Sequence, residues 1–489
     1  MAKASSSFPA SPKVARACLP RRGDDNLIGA MYLPDTIVAP ATPPGQGAVA
    51  IVRLSGPRAI EILNRIWRPD HPGEILPRRL YLGDVVDPAT DANLDRAMAV
   101  VMRAPESLTG EDVVELQCHG GAYLVRRIVA AAIAEGARMA EPGEFTRRAF
   151  LNGKIDLTEA EAIADLVAAR SESAIAQALS HLSGALAEKI GRLREEIISI
   201  RAHLEAEIDF SDEDIRLPSR HELGGHIERL LGDVALLHES FARGKIMREG
   251  VRAAIIGKPN AGKSSILNLL LGSDRAIVTE IPGTTRDVIE DTIQAGRYPL
   301  VLLDTAGVRE SRDEVERIGI ERTLKSAADA GLIIAVFDSS LALSREDRDV
   351  IRISAGRAGV ALLNKRDLPE VLTSAELRRE GLEMPILEFS ALTASGLPQL
   401  REELARAIET MAEPVAGEGL AVSRERHRDA LERALLALRA ARTSALDLMP
   451  PEIVAVDVAA AADALGAITG EVTGEDVLDA IFREFCIGK

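Results

Sequence analysis

The chain has 489 residues, enough for about three domains. Its hydrophobic fraction of 46% is ordinary for a soluble protein, and no apolar run approaches the roughly 18–20 residues that a membrane helix needs. A net charge of −16 argues against a large, self-sufficient basic surface for nucleic acid, because such binding rests on Lys and Arg neutralising phosphates. The three cysteines, Cys18, Cys118 and Cys486, suggest neither a disulfide framework nor a zinc site, so a reducing cytoplasm is the expected compartment.

Residues 1–34 are rich in Ser, Pro and Arg and lack periodicity, which predicts a disordered or non-native extension. Their basic residues and serines suit a transit peptide, whereas Asp24, Asp25 and the missing amphipathic face do not. From Asp35 onward, apolar alternation predicts strands at Ala48–Leu54, Arg79–Val86, Ala97–Met102 and Val113–Cys118. Helices are predicted from Pro57 to about Trp67 and from Tyr123 to about Glu135, where Gly136 ends the pattern. Residues 35–156 thus read as an α+β domain with its own core.

Over residues 157–249 the strand signal disappears. Glu159–Val167 and Ala185–Ile208 carry apolar residues three and four apart, the period of an amphipathic helix. The same texture returns after about Gly419, in Ser423–Leu446 and Glu452–Thr469, within residues 413–489. Apolar stripes need partners for burial, so the two helical blocks are expected to form one domain interrupted by residues 250–412; two independent bundles are the alternative. The fold class is a multidomain α/β and α+β chain: an N-terminal α+β domain, then a helical domain into which a doubly wound, mainly parallel α/β domain is inserted.

The inserted segment carries the chemistry. Val251–Ile256 is short, apolar and partly β-branched, as a buried parallel strand requires, and Ser265–Leu271 reads as a helix closed by Gly272. Between them Gly257-Lys-Pro-Asn-Ala-Gly-Lys-Ser264 has the spacing of a phosphate loop, in which backbone N–H groups and a helix N-terminus surround one anion. Asn260, Ala261, Gly262, Lys263, Ser264 and Ser265 are therefore nucleotide-binding candidates. Lys263 would reach the terminal phosphates and the Ser264 hydroxyl would ligate magnesium.

Asp304-Thr305-Ala306-Gly307 ends the predicted strand Pro299–Asp304, which puts a carboxylate on the magnesium side of the nucleotide. Asn364-Lys365-Arg366-Asp367 ends the strand Gly359–Asn364. Asp367 can accept two hydrogen bonds from the N1 and exocyclic amine of guanine, and adenine offers neither donor in that geometry. Ser390-Ala391-Leu392 follows the strand Met384–Phe389 and brings backbone amides for guanine O6. The nucleotide is therefore GTP.

Small signalling GTPases orient the attacking water with a glutamine directly after Asp-X-X-Gly. Here Val308 holds that place and has no hydrogen-bonding side chain. Glu310, Asp313, Glu314 and Glu316 are the nearby candidates, and spacing does not choose among them. The loop Thr279-Glu280-Ile281-Pro282-Gly283-Thr284-Thr285 offers a second magnesium hydroxyl at Thr284 or Thr285. Asn260, with its side-chain carbonyl, and the backbone of that loop could hold a monovalent cation in place of an arginine finger; Arg286 or Arg309 as the finger is the alternative.

Gly-Lys-Pro-Asn-Ala-Gly-Lys-Ser, Pro282-Gly-Thr-Thr-Arg-Asp287, Asp304-Thr-Ala-Gly-Val-Arg309, Asp313-Glu-Val-Glu-Arg-Ile-Gly-Ile-Glu-Arg322 and the terminal Phe485-Cys-Ile-Gly-Lys489 together resemble the MnmE (TrmE) family of tRNA modification GTPases. The resemblance runs from about Asp35 to Lys489 and includes Ala41–Gly47, Thr109–Gly121 and Pro142–Lys154. Residues 1 to about 30 have no counterpart. It implies an N-terminal domain that binds formyl-tetrahydrofolate and builds a homodimer, and a partnership with the flavoprotein MnmG in a heterotetramer. Together they would add a carboxymethylaminomethyl-type group to the wobble uridine of certain tRNAs.

By matching position, the resemblance makes Glu316 the residue that organises the water, and Ser264 with Thr285 the magnesium pair. It makes Asn260, Thr279, Ile281 and Thr284 a potassium site, and Arg53, Glu115, Lys154 and Lys489 the folate contacts. Apart from the resemblance, Arg53 and Glu115 also read as a simple ion pair, and Cys486 as either a small buried residue or a reactive thiol. The rival function is a GTP-dependent ribosome-assembly or signalling switch. Such factors carry a basic RNA-binding module after the GTPase domain, whereas the residues after Glu413 read as helical and lack a Gly-X-X-Gly loop.

Overall fold

A computed structural model describes residues 35–209, 219–274, 291–303, 328–413, 420–483 and 485–489. These fall into two compact units, the first made of residues 35–107 and 111–140, the second of 108–110 and 141–489. Among the described residues no helix is long and apolar enough to cross a membrane.

In the first unit, β1 (Ile37–Pro40), β2 (Gly47–Ser55), β3 (Trp67–Pro69), β4 (Tyr81–Val86), β5 (Asn93–Met102), β6 (Val113–Gly120) and β7 (Arg138–Met139) form a sheet in the order β3-β4-β5-β6-β2-β1-β7. Ala50, Val52 and Leu54 alternate inward on β2, as Val114, Leu116 and Cys118 do on β6. That face is covered by α1 (Ala59–Ile66) and α2 (Ala122–Ala134) in one buried cluster. α1 buries Ala59, Ile62, Leu63 and Ile66, the i, i+3, i+4, i+7 stripe of an amphipathic helix. Trp67 caps this helix, close to where its sequence suggests an end. It turns to extended backbone, pairs with Val85, and its buried indole donates to the Ala97 carbonyl at 3.1 Å.

The second unit begins with helices: α3 (Glu144–Leu151), α4 (Leu157–Ala168), α5 (Glu172–Leu182), α6 (Ala185–Asp209), α7 (Arg220–Glu239) and α8 (Phe241–Glu249). The later helices are α13 (Glu425–Leu446), α14 (Pro451–Thr469) and α15 (Glu475–Arg483). Leu193, Ile197 and Leu204 of α6, Ile227 and Val234 of α7, Leu431 and Leu438 of α13, and Val454 and Val458 of α14 share a single buried cluster. The two helical blocks are therefore one domain interrupted by the α/β segment. A buried polar network also joins them. Glu161 of α4 meets the Arg426 guanidinium at 3.1 Å and His427 Nε2 at 2.8 Å, while Arg424 meets Asp165 at 2.7 Å.

The α/β segment contains β8 (Val251–Ile256), α9 (Lys263–Asp274), β9 (Asp291–Ala295), β10 (Tyr298–Leu303), β11 (Leu332–Asp338), α10 (Arg345–Ser354), β12 (Gly359–Asn364), α11 (Ser374–Arg379), β13 (Ile386–Glu388) and α12 (Leu397–Met411). Its sheet has the order β13-β12-β11-β8-β10-β9, parallel except for β9 against β10. Alternate residues serve opposite faces: Val251 and Ala253 pack with α9 and α12, whereas Ala254 and Ile256 pack with α10 and α11. α9 starts at Lys263 and continues through Gly272 to Asp274, so that glycine does not end the helix. A methyl group at Gly272 would meet nothing, and one glycine in a last turn costs only about 1 kcal/mol.

Candidate functional site

The chain runs from β8 to β10 on one side and then crosses to β11 on the other, so β8 is the switch point of the sheet, where open α/β folds place their ligands. The loop Gly257–Gly262 lies at its carboxyl end. A Cβ at Gly257 would fall 2.4 Å from the Val336 carbonyl, and one at Gly262, where φ is +103°, would fall 2.1 Å from Asn364 Nδ2. Glycine alone fits both places. Asn260 takes the left-handed conformation with φ 59°, and Ala261 N–H donates to the Lys258 carbonyl at 3.3 Å. Lys263 Nζ curls back over the loop and donates to the carbonyls of Gly257 and Lys258, each at 2.8 Å. Burial holds this ammonium below the ordinary lysine pKa, so an anion placed against it would be strongly favoured. Ser264 and Ser265 follow on the first turn of α9.

The segments at the ends of β12 and β13 are tied to this loop. Asn364, buried at the end of β12, donates from Nδ2 to the Ala261 carbonyl at 2.7 Å and accepts from Ala391 N–H at 2.9 Å. One side chain thus links Ala261 to Ala391. Lys365, in the left-handed region with φ 68°, reaches Asp338 at 2.6 Å. Burial pushes the Asp338 carboxyl up, but hydrogen bonds from Lys365 and Ser340 outweigh it and hold the pKa below the usual range. Arg366 N–H donates to the Phe389 carbonyl at 3.1 Å. Asp367 is exposed and accepts from Ser390 Oγ at 2.5 Å, while Leu392 projects into solvent.

The fixed loop and the Asn364–Asp367 and Ser390–Leu392 segments are therefore assembled together. Thr279, Glu280, Ile281, Pro282, Gly283, Thr284, Thr285, Asp304, Thr305, Ala306, Gly307 and Glu316 lie outside the described residues. So do Val308, Glu310, Asp313, Glu314, Arg286 and Arg309. Asp338 was invisible as a site residue in the sequence, because its contact with Lys365 depends on β11 lying beside β12.

Arg53 and Glu115 face each other across β2 and β6 and form a half-buried ion pair at 2.8 Å. Lys154 and Lys489 belong to the other compact unit. Lys154 is exposed just beyond α3, whereas the Lys489 carbonyl accepts from Phe145 N–H at 3.1 Å on the first turn of that helix. Ile487 bridges to Pro142, and Phe485 is buried with Leu157, Ala160 and Phe482. The terminal Cys-Ile-Gly-Lys is thus docked, leaving the Cys486 thiol exposed. Cys118 is its opposite: burial pushes its thiol up to about 11.

Comparison with known proteins gives two family profiles. One described as the GTP-binding protein TrmE N-terminus matches residues 36–154, and one described as the MnmE helical domain matches residues 157–486. The tRNA modification GTPase MnmE of Natranaerobius thermophilus is 43% identical over 93% of this chain and 99% of its own. The protein of the same name from Symbiobacterium thermophilum is 46% identical over the same shares. Among solved structures, the G domain of the T. maritima FeoB iron transporter is matched over 32% of this chain and 98% of that one, at 24% identity and a TM-score of 0.24.

Proposed function

The chain belongs to the MnmE (TrmE) family of tRNA modification GTPases, and from that premise we propose that it hydrolyses GTP at the Gly257–Ser264 loop in the service of tRNA modification. The observation that carries the reading is Asn364, which ties the phosphate loop at Ala261 to the base-side segment at Ala391. Phosphate and guanine contacts are then parts of one constellation. Lys263 would exchange its loop carbonyls for phosphate oxygens, and Asp367 would hold the guanine edge.

Ser264 and Thr285 would hold magnesium, which when bound neutralises charge on the phosphate oxygens. For Ser264 the support is its place directly after the phosphate-binding lysine, at the start of α9. Asn260, Thr279, Ile281 and Thr284 would hold potassium, and Glu316 would position the attacking water. Formyl-tetrahydrofolate is assigned by family motif to Arg53, Glu115, Lys154 and Lys489. The Arg53–Glu115 pair supports its share of that assignment, since an arginine and a carboxylate there can meet the acidic tail and pterin edge of such a ligand. The homodimer, the MnmG flavoprotein partner and the wobble-uridine substrate are part of the same reading, supported by family membership.

The decisive experiment is nucleoside analysis of tRNA from cells lacking this protein. Loss of the carboxymethylaminomethyl-type wobble uridine is expected. Normal tRNA accompanied by defective ribosomal subunits would overturn the reading. With purified protein, the GTPase rate should rise with potassium at constant ionic strength, and Asn260→Ala should lose that dependence while still binding GTP. Equal rates in potassium and sodium, with activity lost in Arg286→Ala or Arg309→Ala, would replace the cation by an arginine finger.

A further inference from the structure

The phosphate loop contains a second lysine, and its side chain runs to α10. Lys258 Nζ lies 2.8 Å from Asp347 Oδ2, and the pair is nearly sealed from solvent, at 10% and 0% side-chain exposure. Asp347 is the third residue of α10. Its Oδ2 also accepts from the backbone N–H and the hydroxyl of Ser344, the N-cap of that helix, each at 2.9 Å. Among the described residues Oδ1 has no hydrogen-bond partner. Three donors therefore converge on one oxygen of a fully buried carboxylate, and Lys258 is the only cation among them. A buried charge deprived of its partner is costly, so Lys258 cannot swing away without stranding Asp347.

The backbone of Lys258 is equally committed. Its carbonyl accepts from Ala261 N–H at 3.3 Å and from Lys263 Nζ at 2.8 Å. The side chain anchors to α10 while the carbonyl both closes the loop turn and seats the phosphate-binding lysine. We propose that Lys258 and Asp347 are positioning residues: their ion pair clamps the phosphate loop to the N-terminus of α10 and so presets the loop for the phosphates before nucleotide arrives. This rests on the reading of Gly257–Ser264 as the GTP site. Preorganisation of this kind acts mainly on affinity, because the loop's ordering is settled before binding rather than at the reacting bond.

Charge alone predicts a different pattern. Removing the Lys258 cation would weaken binding of a polyanion, but removing the Asp347 anion would tighten it. A clamp predicts that both changes weaken binding. The test uses the full chain and a non-hydrolysable GTP analogue, measuring affinity and, with GTP, kcat and KM. Lys258→Met and Asp347→Asn should each weaken analogue binding about tenfold, with kcat at saturation lowered less than threefold, and the double variant should be no weaker than either single one. Lys258→Arg should recover most of the affinity.

Ser344→Ala separates the ion pair from helix capping, because it strips the cap hydroxyl, which also donates to Asp347 Oδ2, and leaves the Lys258 cation and the Ser344 N–H on that oxygen. It should lower the melting temperature but change affinity less than twofold. Tighter binding by Asp347→Asn, additive losses in the double variant, or a Ser344→Ala protein that loses affinity as the Lys258→Met protein does would each overturn the clamp. Failure of the unmodified chain to bind the analogue, or undiminished binding by Lys263→Ala, would instead overturn the GTP site itself.

Discussion

At the scale of single residues, the site divides into groups that touch substrate and groups that hold those groups in place. Asp367 belongs to the first kind in the proposed function. Asp367→Asn replaces a double acceptor by one acceptor and one donor, so GTP binding should weaken by about 2–4 kcal/mol and xanthosine triphosphate should gain. Titration of that variant with both nucleotides checks it, and unchanged GTP affinity would remove Asp367 from the base contact. Glu316 is assigned to the water rather than to the nucleotide. Glu316→Ala should therefore bind GTP nearly as before while single-turnover hydrolysis slows by about 10²–10⁴-fold. If Glu310→Ala or Glu314→Ala stops turnover and Glu316→Ala does not, the water belongs to another carboxylate of that segment. Asn364 is of the second kind, and its two hydrogen bonds to Ala261 and Ala391 are what make two loops one site.

At the scale of elements, α4 and α13 are joined by charge buried between helices. Burial pushes the Glu161 carboxyl up, but the charge and hydrogen bond of His427 and the guanidinium groups of Arg426 and Arg424 outweigh it and hold the group well below the usual carboxylate range. Burial lowers the pKa of His427, overcoming the pull of Glu161. Nε2 of His427 lies 2.8 Å from Glu161 and 3.0 Å from Arg426 Nη2, and its Nδ1 has no hydrogen-bond partner among the described residues. His181 of α5 is likewise lowered by burial while its Nε2 lies 2.9 Å from the Ala421 carbonyl. Both histidines therefore take up protons more readily unfolded than folded. Their contribution should be complete above about pH 6.5 and decline as pH falls below it, with a steeper loss below about pH 4.3 as Glu161 joins them. Urea unfolding followed by circular dichroism from pH 8 downward tests the sign; a midpoint that rises between about pH 6.5 and 5.5 would contradict it. Glu161→Ala leaves Arg426 and His427 without their carboxylate and should cost about 3–5 kcal/mol in the same measurement.

At the scale of the whole molecule, the helical domain depends on residues from both sides of the inserted α/β segment. Because α13 and α14 share the buried cluster of α6 and α7, a chain ending at residue 413 should leave the apolar stripes of α6 and α7 uncovered. Its helical content should melt without a cooperative transition, while the α/β segment, whose two cores draw on its own helices, keeps one. Supplying residues 414–489 as a separate chain should restore cooperativity. A truncated chain that melts as sharply as the intact one would show that the helical blocks are independent after all.

The sequence by itself determined everything whose physics is local. The phosphate loop is legible because a phosphate is held by consecutive backbone N–H groups, so its glycines and lysine must stand at fixed spacing. The amphipathic periods of α6 and α13 are legible because a helix facing a core repeats its apolar residues every three or four positions, and this texture also foretold a shared domain. Tertiary structure decided what depends on neighbours far along the chain. Asn364 meets Ala261 across 103 positions and Lys258 meets Asp347 across 89, and only the order β12-β11-β8 and the placement of α10 bring those partners together. The partners of Trp67 were set in the same way, since the strand β4 it pairs with and the Ala97 carbonyl its indole meets have no trace in its own neighbourhood. A side chain's period along the chain reports which way it faces; its partner is set by packing of elements whose contacts no local spacing encodes.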